Sequence, residues 1–237
     1  MSLKERLEKI KEILVLIFKS PGIEINLSHE NPLSEKYYKY FTRPHDSIKV
    51  IKNKVHGMAL LEVAKFHSPD DYINSVNGKN SAAYYTRKAE RMGYRFGEID
   101  PYKLKEEIFE INTSAPERQN RKMSESYYNK DYNYPVDEFN SYYGVFKNEK
   151  LVAYIWLSRM GEVTVVMRIL GHNNFLKDGI MYFLSVNAVT ALITKGEKGK
   201  FLLYDSFLGN TKGLELFKKR LGFSPFHVKW RLKETTA

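Results

Sequence analysis

The sequence predicts an α+β fold, a mixed and mostly antiparallel sheet flanked by helices, preceded by an N-terminal helical extension. Three observations predict it. From about Glu162 to Leu232, strand-like and helix-like runs alternate: an apolar strand, a His-Asn loop, a long apolar helix, a second strand, a short helix and an alternating strand. Before them, Tyr142 to Lys147 and Leu151 to Ser158 flank Asn148-Glu149-Lys150, the pattern of a β-hairpin. Earlier still, capped helical patterns recur between Ser68 and Asn112.

Composition sets the bounds. With 43% hydrophobic and 14% aromatic residues, the 237-residue chain has ample material for a core, which argues against disorder throughout. No cysteine is present, which removes disulfides, thiol nucleophiles and thiolate metal sites and fits a reducing compartment, so the cytoplasm is the expected location. Lys4, Glu5, Arg6, Glu8, Lys9, Lys11 and Glu12 mix both signs of charge at the N-terminus, unlike a signal peptide. The nearly apolar run Ile180 to Ile193 is shorter than the about 20 residues of a membrane span and reads as a buried helix. A net charge of +10 fits either a solvated surface or an anion-binding one.

The elements follow in order. Leu3, Leu7, Ile10, Leu14 and Ile17 have helical spacing, ended by Pro21-Gly22. The stretch from Ile23 to His56 has no clear period, although strands fit near Ser47 to Ile51 and Gly57 to Phe66. Ser68-Pro69-Asp70 starts a short helix, and Asn80 or Ser81 starts another, with Ala82, Tyr85, Ala89 and Met92 on one face and Gly93 closing it. A strand from Tyr94 to Ile99 leads to Asp100-Pro101, an N-cap and first-turn proline for a helix reaching about Asn112. The polar segment Asn112 to Pro135 has no period and reads as a functional loop on the substrate side.

Met160-Gly161 turns the hairpin into a third antiparallel strand, Glu162 to Leu170. Asp178 is the expected cap of the apolar helix, which runs to about Thr194, and Lys200 to Tyr204 is a buried strand. Asn210 or Thr211 opens a helix with Leu214, Phe217 and Leu221 inward and Gly222 at its end. Phe226, Val228, Trp230 and Leu232 then alternate with polar residues. Two regions are expected: residues 1–67 as helix and extension, and 68–237 as the catalytic domain.

The segment Asn210-Thr-Lys-Gly-Leu-Glu-Leu-Phe-Lys-Lys-Arg-Leu-Gly-Phe223 resembles the closing segment of the GNAT fold, the acyl-CoA-dependent N-acyltransferase superfamily, where an Asn opens a helix that ends in Gly-Phe. The strand, loop and helix from Val163 to Ile193 sit where that superfamily binds the cofactor pyrophosphate. Tyr84-Tyr-Thr-Arg-Lys-Ala-Glu-Arg-Met-Gly-Tyr94 and Phe217-Lys-Lys-Arg-Leu-Gly222 echo the FemAB-like aminoacyl and peptidyl transferases. The resemblance covers roughly residues 68 to 232. Two departures stand out: Leu170-Gly-His-Asn-Asn-Phe-Leu-Lys-Asp-Gly179 replaces the usual Arg/Gln-x-x-Gly-x-Gly/Ala loop, and Phe217 falls where the family often carries a leaving-group tyrosine.

The resemblance implies direct attack of an acceptor amine on acyl-CoA, most simply acetyl-CoA, with no metal. It assigns the donor to Arg168, Ile169, Leu170 and Gly171 of the strand, to Lys177, Gly179 and Ile180 at the helix start, and to Asn210. The candidate bases are His172, just past the strand, and the rivals Glu162 and Asp205. His172 has the alternative of a surface histidine or a capping partner, and Asp205 that of a turn cap with Ser206. On the substrate side, Arg118 and Arg121 are candidates for binding an acidic acceptor or cofactor phosphates, against a solvated loop face, and Tyr127 for stacking on a base or sugar, against half-buried packing. The six histidines show no paired metal-ligand spacing. An alternative donor is charged tRNA, drawn by the basic surface, and a non-enzymatic alternative is a binding module that kept only the fold. The acceptor is expected to be a small-molecule or protein amine.

Overall fold

The computed structural model describes residues 14–15, 18–46, 51–118, 121–196 and 199–233. Most of the expected first helix lies outside them, as does nearly all of the strand expected at Ser47 to Ile51. Eight strands form one sheet: β1 (Gly22–Ser28), β2 (Met58–Glu62), β3 (Arg95–Glu98), β6 (Asn140–Lys147), β7 (Lys150–Met160), β8 (Val163–Gly171), β9 (Phe201–Ser206) and β10 (Ser224–Lys233). Its order is β1-β10-β2-β9-β8-β7-β6-β3, and the short β4 (Glu117–Arg118) and β5 (Arg121–Lys122) pair apart from it. Only β1/β10 and β8/β9 are parallel, so the sheet is mixed and mostly antiparallel, as expected.

Helices cover both faces. On one face α2 (Pro69–Ser75), α3 (Ala82–Arg91) and α5 (Ile180–Lys195) share a core that includes Tyr72, Ala89, Phe183 and Leu184. On the other, α1 (Ser34–Thr42) brings Phe41 onto Trp230, and α4 (Lys105–Thr113) brings Ile108 and Ile111 onto Tyr154 and Trp156. The remaining helix, α6 (Lys212–Arg220), follows β9. Among the described residues, no helix is long and apolar enough to cross a membrane.

Local chemistry accounts for the boundaries. Ser68 and Asp71 form a reciprocal capping box on α2, while the Ser81 and Thr211 hydroxyls accept from the amides of Tyr84 and Leu214. Three expectations change. β1 and α1 occupy a stretch without visible period, because their order comes from tertiary partners: β1 borrows a ladder from β10, and buried Asn31 donates to Ser158 Oγ at 3.0 Å and to the Arg159 carbonyl at 2.7 Å. Thus β1 and β2, from the region assigned to an extension, belong to the same sheet as the later strands. The helix after Asp100-Pro101 starts only at Lys105, since the Asp100 carboxylate closes a turn on the amide of Tyr102. Asp178 caps nothing: it accepts from the Tyr94 hydroxyl and ends a 3-10 helix, Asn173–Asp178, and Gly179 at φ +86° swings the chain into α5.

β8 and β9 pair over three rungs only, Val163 with Phe201, Thr164 with Leu202 and Val165 with Leu203. Just beyond the last rung both strands bulge. In β8, Val166 and Arg168 face consecutive residues of β7, which leaves Met167 as the extra residue. In β9, Leu203 and Ser206 face Leu60 and Met58, so two residues oppose Ala59, and one of them, Asp205, has φ +53°. Bulges bend a strand and raise its twist. Two of them turning adjacent strands at the same level part the sheet.

At the β7–β8 turn, Gly161 has φ +69°, and a Cβ there would lie 2.7 Å from the Asn26 carbonyl oxygen and 2.8 Å from the Ser28 nitrogen. Gly161→Ala should therefore lower stability by about 2 kcal/mol or more in a urea titration, combining left-handed strain with a backbone clash against β1.

Candidate functional site

The parted strands open a slot lined on one side by Val166–Gly171 and on the other by the end of β9. In an extended strand, alternate N–H and C=O groups point to the two neighbours, so beyond Val165 every second backbone polar group of β8 turns toward the opening. A cavity lies on each face. One, of about 490 Å³, is lined by Tyr37, Phe41, Lys54, Tyr127, Arg168 and Asp205 among others. The second, of about 650 Å³, lies beside the start of α5 and is lined by Tyr85, Arg118, Lys177, Tyr182, Phe217 and Arg220 among others. Ile169 and Tyr204 line both, so the two cavities share them as a common wall.

Of the residues expected at the donor, Ile169, Leu170, Gly171, Lys177 and Gly179 line the larger cavity. Arg168 faces the smaller one, because the bulge at Met167 turns it to the same side as Trp156. Ile180 is fully buried in the core. Asn210 spends its amide on the Ser206 carbonyl at 2.7 Å, and Thr211 caps the helix in its place. The loop expected to offer amides to a diphosphate is largely closed on itself. The N–H groups of Asn173, Asn174, Phe175 and Gly179 donate to Ser114 Oγ, His172 Nδ1, the His172 carbonyl and the Leu176 carbonyl.

The three candidate bases separate. Glu162 lies at the far end of β8. Partial burial opposes its charge, but hydrogen bonds from Lys200 and from the backbone and side chain of Asn26 prevail and hold its carboxyl below the ordinary value. It staples β1 to the sheet. His172 packs against Phe175, with Nε2 3.6 Å from Glu110, and lines neither cavity. Only Asp205 lines one, where it pairs with Lys54. Among the expected acceptor residues, Tyr127 lines the smaller cavity. Arg118 lies in the larger one, donating to the carbonyls of Gly171 and Ile111 at 2.9 Å each, and Arg121 donates to the Gly209 carbonyl outside both.

Two residues went unseen in the sequence. Tyr204 stands in the slot itself, and burial raises its hydroxyl far above the ordinary phenol value, so it stays protonated. It is the polar tip of an otherwise apolar run, Phe201-Leu-Leu-Tyr204, which is its only signal. Lys218 is 1% exposed, donates to the Ser206 carbonyl at 2.8 Å and lies 4.8 Å from the centre of the Tyr204 ring. Burial pushes its ammonium down to about 8, against an opposing pull from Asp205. Its signal is a lysine on the inward stripe of α6, beside Phe217.

No protein-family model matches the chain, and no curated protein matches it in sequence. Solved structures do resemble it in fold. FemX aligns at a TM-score of 0.55 with 9% identity over 72% of this chain and 59% of its own. The C-terminal domain of a putative lysylphosphatidylglycerol synthetase from Agrobacterium fabrum aligns at 0.49 with 11% identity, over 71% and 57%. A GCN5-related N-acetyltransferase from Kribbella flavida aligns at 0.40 with 14% identity, over 56% and 47%. The chain spans less than two thirds of the length of each. The likeness to FemX is one of fold, and it agrees with the GNAT-like architecture expected from the sequence.

Lys218 carries a pH signature. Its folded value lies below its unfolded one, so the unfolded chain binds more protons between about pH 8 and 10.5, and its burial costs least at high pH. Relative to Lys218→Met, the wild type should gain about 2 kcal/mol of stability between pH 7.5 and 9.5 in parallel denaturant titrations.

Proposed function

We propose that the protein is an acyltransferase in which a donor ester or thioester lies in the larger cavity, its acyl group threads the slot, and an acceptor amine attacks from the smaller cavity. The observation that carries this reading is that two cavities share Ile169 and Tyr204 as their common wall, just past the point where the β8–β9 ladder ends. Transfer of an acyl group to an amine needs donor and acceptor on opposite sides of one carbonyl. A slot through a sheet supplies that separation and excludes bulk water.

The steps follow from the lining. The acceptor's ammonium releases one proton to water at the cavity mouth, and the neutral amine attacks the acyl carbon. A backbone N–H of the unpaired part of β8 steadies the developing oxyanion. As the C–N bond forms and the bond to the leaving sulfur or oxygen breaks, the nitrogen gives its remaining surplus proton to Asp205 and Tyr204 protonates the leaving atom. Water carries the proton from Asp205 back to Tyr204. The slot phenol thus fills the role left open by Phe217.

Acyl-CoA is the donor in the first form of this reading, with Arg118, Lys177, Arg220 and the positive end of α5 offering charge to its phosphates. The engaged amides of the Asn173–Asp178 turn favour a second form, an aminoacyl-tRNA donor whose 3′ end enters the same cavity. Tyr85 stacks on Tyr182 there, with ring centres 4.9 Å apart and planes at 12°, a platform for a nucleobase that either donor carries. Calorimetry with acetyl-CoA, beside salt-dependent binding of charged tRNA, separates them.

Ile169→Trp fills the junction from a half-buried position. Transfer should fall by about 100-fold or more while the melting temperature stays within a few degrees, since the wedge blocks passage between the cavities. Tyr204→Phe should lower kcat by about 100-fold with little change in KM. Unchanged rates in both variants would remove the slot from the reaction.

A further inference from the structure

The smaller cavity holds a cation without a counter-ion. Arg168 is 6% exposed, and no carboxylate pairs with it among the described residues. Its guanidinium lies 3.7 Å from the centre of the Tyr132 ring and 4.5 Å from that of Tyr127, with Tyr134 at 5.7 Å. Its two hydrogen bonds are long, 3.5 Å to the Tyr134 hydroxyl and 3.4 Å to the Ser126 carbonyl.

These rings do not neutralise it. Burial holds Tyr127 and Tyr134 above the ordinary phenol value even though the Arg168 charge pulls the other way, and burial pushes Tyr37, at the same cavity, up to about 12. All three are uncharged in any physiological buffer. The other charges at the cavity add to the imbalance: Lys54 is matched by Asp205, and exposed Lys36 stands at the rim. A buried guanidinium with no acid beside it is costly in a folded chain unless a bound group completes it. A planar fork of N–H donors matches a carboxylate or phosphate. Aromatic walls keep water from screening the pair.

We propose that Arg168 is a specificity-determining residue for an acceptor that carries an anionic oxygen group, carboxylate or phosphate, besides its reactive amine. This rests on the assignment of the smaller cavity to the acceptor. The anion seats against Arg168 inside the tyrosine cage, and the amine reaches up to Ile169 and the slot.

The test uses two matched pairs, β-alanine with propylamine and O-phosphoethanolamine with ethanolamine, titrated calorimetrically into the full chain without any donor. At least one anionic member should bind about 30-fold more tightly than its neutral partner. That preference should vanish in Arg168→Met and shrink in Arg168→Lys. The better-bound pair names carboxylate or phosphate as the group recognised. Equal binding within both pairs, or a preference that survives Arg168→Met, overturns the proposal and leaves Arg168 as a packing residue of the cage. Should Arg168→Met not melt cooperatively, Arg168→Lys and the wild-type pairs decide. Transfer assays on the same amines keep the two claims apart: transfer without anion preference sinks only the Arg168 assignment, and anion preference without transfer from either donor sinks the acyltransfer reading and the acceptor role with it, leaving Arg168 as an anion site.

Discussion

The proposed function depends on a ladder that stops after three rungs. Parallel strands normally zip along their whole shared length, because each unpaired N–H and C=O removed from water must find a partner. Here β8 and β9 stop at Val165 and Leu203, where Met167 and the Tyr204-Asp205 pair each add a residue that the neighbouring strand does not match. A single bulge would bend one strand and let the other follow. Two at one level turn the strands apart, and the exposed backbone is left to bind whatever enters. The left-handed Asp205 is kept in place by its ion pair with Lys54. The adjacent Ser206 is tied down by its hydroxyl, which donates to the Gly57 carbonyl at 3.0 Å and accepts from the Leu208 amide at 2.9 Å.

The charges around this opening are arranged by burial. Lys218 and Arg168 are both almost inaccessible cations, one beneath each side of the slot, and among the described residues neither has a carboxylate partner at ion-pairing distance. They differ in how they are satisfied. Lys218 has a close carbonyl at 2.8 Å, a bond that fixes the end of β9 to α6 and so sets where the Tyr204 ring lies. Arg168 has rings and long contacts only. A lysine that can shed its proton tolerates such a site by titrating, whereas a guanidinium cannot, so the arginine carries the stronger argument for an anion site.

The sheet's central elements were legible because their signals are local. The turn Asn148-Glu149-Lys150 between the β6 and β7 runs, the apolar run of α5 and the capped α6 all follow from near neighbours in sequence. β1 and α1 were not, since their order depends on β10 and on Asn31 reaching β7 from across the fold. Around the cavities, Ile169 to Gly171 were expected because a strand leading into a helix marks the place, while Tyr204 and Lys218 were not. A tyrosine ending a strand and a lysine in a helix are ordinary in sequence; only the parted ladder and the burial give them meaning. The same holds in reverse for His172 and Glu162, whose titratable chemistry drew notice but whose side chains secure Asn174 and Asn26 away from the opening.

The altered loop before α5 also changes how a donor must be held. A nest of free amides grips a diphosphate through fixed dipoles and is indifferent to the rest of the ligand. Here the amides of Asn173, Asn174, Phe175 and Gly179 are already engaged, so in the proposed function the grip passes to the side chains of Lys177 and Arg220 and to the stacked Tyr85 and Tyr182. Arg220 is itself bound to the Tyr182 hydroxyl at 3.3 Å, which keeps a guanidinium beside the ring pair. Side chains adapt to a phosphate's position where an amide nest dictates it, and the cavity they line is open and broad. That arrangement suits a donor whose phosphates are spread along a polymer at least as well as one with a compact diphosphate. The loop, which departs most from the resemblance, therefore bears most directly on which donor the slot receives.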